Sequence, residues 1–292
     1  GEYNFATFGW DEGELVDATD IVDAQGDAAT LGSGLTPLYL TYRHYPVDDP
    51  KVAGAYGEWK DYNAYSDFIS SEGVPVFYAR VDHVSVPLAQ EGTGQVVVDF
   101  TPEPLTQDVS FVFHIEKTAD VVVDSLTAEI SGIPSTMELT TGLILAQKTY
   151  KLLFRPTYAA LPSAADSASA EALRCEASVN IPGIVRSHTE DMVTGPGILQ
   201  IAIYTHYDYE EEGTQRKAAK VFHAGINLYH TLKERKSLQW DEEENGYRQA
   251  SRSITVEIGS PLNIDKDGIL NGGSTSTGLD QWIPGETFEI EV

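Results

Sequence analysis

The residues best spaced for chemistry lie in Asn263-Ile264-Asp265-Lys266-Asp267-Gly268-Ile269-Leu270-Asn271, where oxygen donors recur at alternating positions and a glycine follows. A hard cation such as Ca²⁺ takes several oxygens from one compact loop, so Asn263, Asp265, Asp267 and Asn271 form a candidate site. The match is incomplete. Ser274 stands where a bidentate carboxylate belongs, no helical flanks are evident, and a plain Asp/Gly turn between strands is the competing reading. A second candidate is His206-Tyr207-Asp208, which on a strand puts a His and an Asp on one face. That arrangement orients an imidazole or binds a metal, or it is simply a strand running into an acidic loop.

The remaining histidines, at 44, 83, 114, 188, 223 and 230, are scattered. No His-Glu-x-x-His helix, glycine-rich phosphate loop or Gly-x-Ser-x-Gly elbow is present. With 45 Asp and Glu in the chain, chance carboxylate pairs are guaranteed, so no acid/base dyad can be named. A hydrolase built on acid pairs is therefore the weakest functional reading, and neither catalytic residues nor a cofactor are expected. The single cysteine, Cys175, excludes an internal disulfide framework and a Cys-based zinc site. The 19 basic residues leave a formal charge of −26, which argues against nucleic acid or an anionic membrane surface as a partner. Acidic runs at Asp208 to Glu212 and Asp241 to Glu244 read as solvated loops.

The elements that must position these residues are strands. Gln95 to Gly142 packs apolar runs between turn signals and reads as a β-meander. Val96, Val97, Val98 and Phe100 suggest a first strand, and Thr101-Pro102-Glu103-Pro104 interrupts it. Val109, Phe111, Phe113 and Ile115 then alternate strictly, which buries one face. Val121 to Ile130 follows, Ser131-Gly132-Ile133-Pro134 is expected to turn the chain, and Thr136 to Leu139 begins another strand.

Further strands are expected at Glu2 to Trp10, Leu35 to Tyr45, Val74 to Val81, His83 to Leu88 and Leu143 to Phe154. Beyond them come Cys175 to Ile181, Gly197 to His206, Lys220 to Tyr229, Arg252 to Ile258 and Thr287 to Val292, with one helix at His230 to Lys236. The class is all-β with little helix. Gly92-Thr93-Gly94 suits a hairpin turn. Tyr56, Trp59, Tyr62, Tyr65 and Phe68 lie in an irregular segment that is either a binding surface or a cover on a sheet.

At 292 residues the chain exceeds one comfortable core. Composition turns small and polar at Ser163 to Ala172, so the expected division is residues 1–157 and 158–292, with the boundary near 155–172. No apolar run long enough for a membrane helix and no leader opens the sequence, and Gly1-Glu2-Tyr3-Asn4-Phe5 already reads as a strand. The expectation is a trimmed chain that starts inside a fold.

Gly1-Glu2-Tyr3-Asn4, Pro75-Val76-Phe77-Tyr78, Phe100-Thr101-Pro102-Glu103-Pro104-Leu105, Leu126 to Pro134 and Thr140-Thr141-Gly142 resemble, in that order, the fimbrillin-like surface proteins of Bacteroidales. Ile181-Pro182-Gly183-Ile184, Leu199 to Tyr204, Lys220 to Gly225 and Trp282-Ile283-Pro284-Gly285 resemble that family's second domain more loosely. The resemblance implies two tandem transthyretin-like, Greek-key β-sandwiches. It also implies a lipoprotein precursor at the outer membrane, and a pilus polymerised or anchored by strand addition to other fimbrial subunits. Two features depart from the family, which carries a lipobox cysteine and early strands ahead of the Gly-x-Tyr strand. Neither is present here, Cys175 lies mid-chain, and the first sandwich is expected to lack early strands.

Strand addition needs no catalytic group, since main-chain hydrogen bonds give affinity and alternate side-chain pockets give specificity. Thr287, Phe288, Glu289, Ile290, Glu291 and Val292 alternate apolar residues with acids, and serve as an ordinary last strand or as a donor. A non-enzymatic stalk, anchor or tip component of a cell-surface fimbria is the leading reading. The alternative is a carbohydrate- or peptide-binding surface module that uses Tyr56 to Phe68 to stack on host or bacterial surface ligands.

Overall fold

A computed structural model describes residues 1–10, 19–22, 25, 37–45, 68–69, 75–86, 96–161, 170–185, 197–235, 237–270 and 282–290. Its strands begin with β1 (Glu2–Trp10), β2 (Thr19–Val22), β3 (Tyr39–Tyr42), β4 (His44–Tyr45), β5 (Phe68–Ile69), β6 (Val76–Ser85) and β7 (Glu103–Pro104). The long central strands are β8 (Gln107–Thr118), β9 (Val121–Glu138) and β10 (Leu143–Phe154), followed by β11 (Thr157–Ala160) and β12 (Ala170–Ile181). Then come β13 (Ile198–Glu211), β14 (Thr214–Asn227) and the seven-residue helix α1 (Tyr229–Arg235). The last are β15 (Leu238–Asp241), β16 (Gly246–Gln249), β17 (Ser253–Glu257), β18 (Leu262–Ile264) and β19 (Ile283–Ile290).

The strands form three sheets. The large sheet runs β15-β16-β10-β9-β13-β14-β19, with β2, β3, β4 and β5 joined to its flanks. The smaller one runs β11-β12-β8-β17, and β18 continues the β17 side along β8. A third, of three strands, is β1-β6-β7.

The alternation at Val109 to Ile115 explains how the first two sheets meet. Val109, Phe111, Phe113 and Ile115 on β8 are fully buried, and Phe111 stacks 5.1 Å from Phe154 of β10, so the smaller sheet packs on the larger through these side chains. The facing surface carries Leu126, Ala128 and Ile130 of β9 with Leu199, Ile201 and Ile203 of β13, and all belong to one apolar cluster. Phe113 also meets Trp282 edge-on at 5.8 Å, while the Trp282 indole donates to the Ser260 carbonyl at 3.0 Å. The molecule is an all-β sandwich.

Some polar groups inside the sandwich are paired, whereas the buried Tyr42 hydroxyl has no hydrogen-bond partner among the described residues. Gln107 Nε2 donates to the Ser251 carbonyl at 2.7 Å, and Ser237 Oγ donates to Gln107 Oε1. On the other face of the large sheet, Lys151 Nζ lies 2.9 Å from Glu129 Oε1, both buried, beside the ring of Phe68.

Several expected elements are redrawn. Residues 96–100 are in no strand and Val97 is 71% exposed, because the following prolines leave only the two-residue β7 to pair with β6. Ser131 to Pro134 does not turn the chain. Gly132, at φ 89°, sits where the pairing register between β9 and β10 shifts, and β9 runs unbroken through it as a bulged strand. The two strands expected at Val74 to Leu88 are one, β6, which carries an extra residue around His83 at φ 59°. Gly92 to Gly94 lies outside the described residues.

Strand pairing crosses the expected division at 157/158. β8 pairs along its whole length with β12, and β9 pairs with β13, so both sheets draw strands from either side of that point. The physical reason is burial. β8 and β9 carry buried apolar faces, and β12 and β13 extend those faces from beyond residue 157. The small, polar stretch read as a linker contributes Ala170 to Ala172 to β12, and its residues 162–169 lie outside the described residues.

Candidate assembly edges

A strand-adding surface is built from main-chain groups, so the candidates are strands with a neighbour on one side only. In the large sheet, β19 pairs antiparallel with β14, with Phe222 opposite Thr287, Val221 opposite Phe288, Lys220 opposite Glu289 and Ala219 opposite Ile290. Among the described residues β14 is its only strand partner, so β19 is an edge. Thr287, Phe288, Glu289 and Ile290 of the candidate donor therefore lie in a regular last strand of their own sheet, while Glu291 and Val292 lie outside the described residues.

The other edges differ in length and charge. β15, at the opposite end of the large sheet, has four residues and ends at Asp241. β11 has four residues, all exposed. β1 is nine residues long, and among the described residues β6 is its only strand partner.

The chemistry-bearing residues are turned to other tasks. In the candidate Ca²⁺ loop, Asp265 Oδ1 accepts the main-chain N–H groups of Asp267 and Gly268, each at 2.8 Å. Lys266 Nζ stands 3.0 Å from both carboxylate oxygens of Asp267 and raises its own pKa through that contact. Asn263 contributes its main chain, accepting from Leu270 N at 2.8 Å, and Ile264 bridges Ile269. The segment is a tight Asp/Gly turn, an ammonium sits where a cation would meet Asp267, and Asn271 lies outside the described residues.

His206 is oriented by a carboxylate, though not by Asp208. Its Nδ1 lies 2.8 and 2.9 Å from the two oxygens of Asp124, across the β9–β13 pairing. Asp208 stands opposite Lys217 near the tip of the β13–β14 hairpin. That hairpin closes on Glu212 and Gly213, both at positive φ, as a two-residue turn, so the acidic run is an exposed hairpin end. Asp241 to Glu244 is likewise a turn, in which Asp241 Oδ1 accepts from Glu243 N and Glu244 N. Cys175 is fully buried and its thiol is pushed up to about 12 by burial, which leaves it unreactive. Among the described residues, no three His, Cys, Asp or Glu side chains gather as a metal ligand set. Of the aromatic segment Tyr56 to Phe68, only Phe68 is described, and it is buried against Ala202 and Val221.

One constellation has no counterpart in the sequence reading. Arg248 donates Nε to Asp241 at 2.8 Å, and Nη1 to both the Tyr78 hydroxyl and the Thr141 carbonyl at 2.9 Å. The Glu244 main-chain N–H, together with Arg248, holds the Asp241 carboxyl below its usual range. The ring of Tyr78 lies directly on Gly142, at φ 73°, where an added Cβ would fall 2.1 Å from the ring. Arg248 thus ties β6 of the small third sheet to the β9–β10 turn and the β15–β16 hairpin. Tyr78 and Thr141-Gly142 sit in short stretches that stood out in the sequence, but a lone arginine 170 residues from Tyr78 gave no signal.

No known family model matches the chain, and no curated protein matches it. Two solved structures align with it. One is a candidate adhesin from Bacteroides thetaiotaomicron VPI-5482, with TM-score 0.42 and 11% identity over 93% of this chain and 74% of that one. The other is a candidate adhesin from Bacteroides ovatus ATCC 8483, with TM-score 0.43 and 10% identity over 91% of this chain and 75% of that one. Neither likeness assigns a family.

Proposed function

We propose that the protein is a non-enzymatic structural, anchor or tip component of a cell-surface fimbria at the outer membrane, joined to its neighbours by β-strand addition. The observation that carries this reading is the position of β19. It is an edge strand of the large sheet, paired to a single neighbour through an unbroken register from Thr287 to Ile290. An edge of that kind is exchanged without opening the rest of the core, because only one ladder must break. The order of motifs shared with fimbrillin-like proteins supports the same reading.

The test removes Glu286 to Val292. The expected product is a folded acceptor, shown by its far-ultraviolet dichroism, that captures a synthetic peptide of that sequence in titration calorimetry. A truncated chain that stays unfolded with the peptide present would make β19 purely structural. Absence of the intact protein from purified fimbriae of its host would count against the fimbrial role.

A further inference from the structure

We infer that β1 is a self-pairing edge, through which two copies of this chain join about a two-fold axis to form a continuous β6-β1-β1-β6 sheet. Exposed edge strands are normally guarded by charge, proline or shortness. β1 is thinly guarded, since its nine residues include one charged side chain, Glu2 at its end, and no proline. This is unusual in a chain with 22% charged residues, and β19, by contrast, carries Glu286 and Glu289.

The outer half of the β1–β6 ribbon also lacks support. Among the described residues β7 reaches only Phe77 and Tyr78, and from Ala6 towards Gly1 the ribbon has two strands, with exposed Tyr3 and Phe5 on it. A lone two-stranded ribbon is marginal in water, and a third strand with an apolar face is what makes it persist. The extra residue of the bulge lies in β6, where His83 N donates to Asn4 Oδ1, so β1 itself stays extended and its outer ladder is continuous. Gly1 directs both its N–H and its C=O at Val86, so alternation turns those of Glu2, Asn4, Ala6 and Phe8 outward.

Charge selects a second copy and a register. Each copy carries −26, so two copies meet with least repulsion where the surface is locally neutral. An antiparallel pairing that uses all of β1 is centred on Ala6, each Ala6 facing the other. It places the two Glu2 residues at opposite ends, about 27 Å apart at the rise of a strand. The same register sets Tyr3 opposite Gly9 of the second copy. Nothing stands within 4 Å of where a Cβ on Gly9 would lie, which leaves room for that ring, and an aromatic over a cross-strand glycine is a stabilising pair. Tyr3 and Phe5 share a face with Val81 and Val84 of β6, so the joined sheet gathers one apolar surface from both copies.

The experiment measures the solution mass of residues 1–292 by sedimentation at micromolar concentration, alongside Ala6→Lys, which sets two ammonium groups face to face at the axis. The expected result is a dimer for the parent chain and a monomer with unchanged dichroism for Ala6→Lys, since Ala6 is exposed. Mild oxidation should cross-link the Ala6→Cys variant as a dimer and leave Asn4→Cys uncross-linked, because only Ala6 meets itself. A monomeric parent, a dimer indifferent to Ala6→Lys, or equal cross-linking at both positions would overturn the proposal. These readouts leave β19 intact, so they are separate from the outcome of the strand-exchange test.

Discussion

Single residues hold the sheets in place. Gly142 combines a left-handed backbone with a tyrosine ring directly over it, and each feature alone penalises a side chain. Gly142→Ala is expected to cost at least about 1–3 kcal/mol of stability from backbone strain, and more from the displaced ring, read as a lower urea midpoint. His223 gives a pH signature. Burial lowers its pKa from 6.5 to about 4, so as pH falls the unfolded chain takes up a proton that the folded chain refuses. The resulting loss of stability sets in below about pH 6.5 and is complete near pH 4. The drop in melting temperature between pH 7 and pH 5 should shrink in His223→Gln. Equal drops in both proteins would remove His223 as the cause. The sequence placed His206 on one face with Asp208, but its contact with Asp124 was not legible, because a strand's own alternation is visible in its sequence whereas the residue across the ladder is not.

At the scale of elements, legibility followed periodicity. Strict alternation located β8, and apolar runs between turn residues located β10 and β17 closely, while β13 and β14 were found but extend five and six residues further into their shared polar hairpin. The short hairpin β15–β16 went unread, since four-residue strands rich in polar and charged groups carry no period. Pro134 misled as a turn signal, because it lies within β9 opposite Thr149, just beyond the bulge at Gly132. Because β8 is central to the smaller sheet and packs on the larger, Phe111→Ala should be among the costliest truncations. The expected loss is about 3–5 kcal/mol in denaturant titration, with Val122→Ala, on the exposed face of β9, as the near-neutral comparison.

For the molecule as a whole, the all-β class was readable from the chain but the pairing of strands across residue 157 was not. A shift in composition marks where a chain is polar, and strand order decides where it can be cut. With β8–β12 and β9–β13 both spanning residue 157, calorimetry should show one unfolding transition. Separately produced fragments 1–157 and 158–292 should each lack the dichroism of a folded sheet. Two resolved transitions, or a folded fragment, would restore the two-domain division.

The same interleaving bears on the order of events during synthesis. The Gln107 side chain bonds the Ser251 carbonyl, 144 residues further on, and β17 and β18 complete the β8 side of the smaller sheet only after that point has emerged. At about 5–20 residues per second, Phe111 and Phe113 wait roughly 7–30 s on the nascent chain before their sheet can close. Through that interval β8 is open on the side that β17 and β18 will take. That side of β8 therefore stays exposed to mispairing until the strands beyond residue 251 have been made.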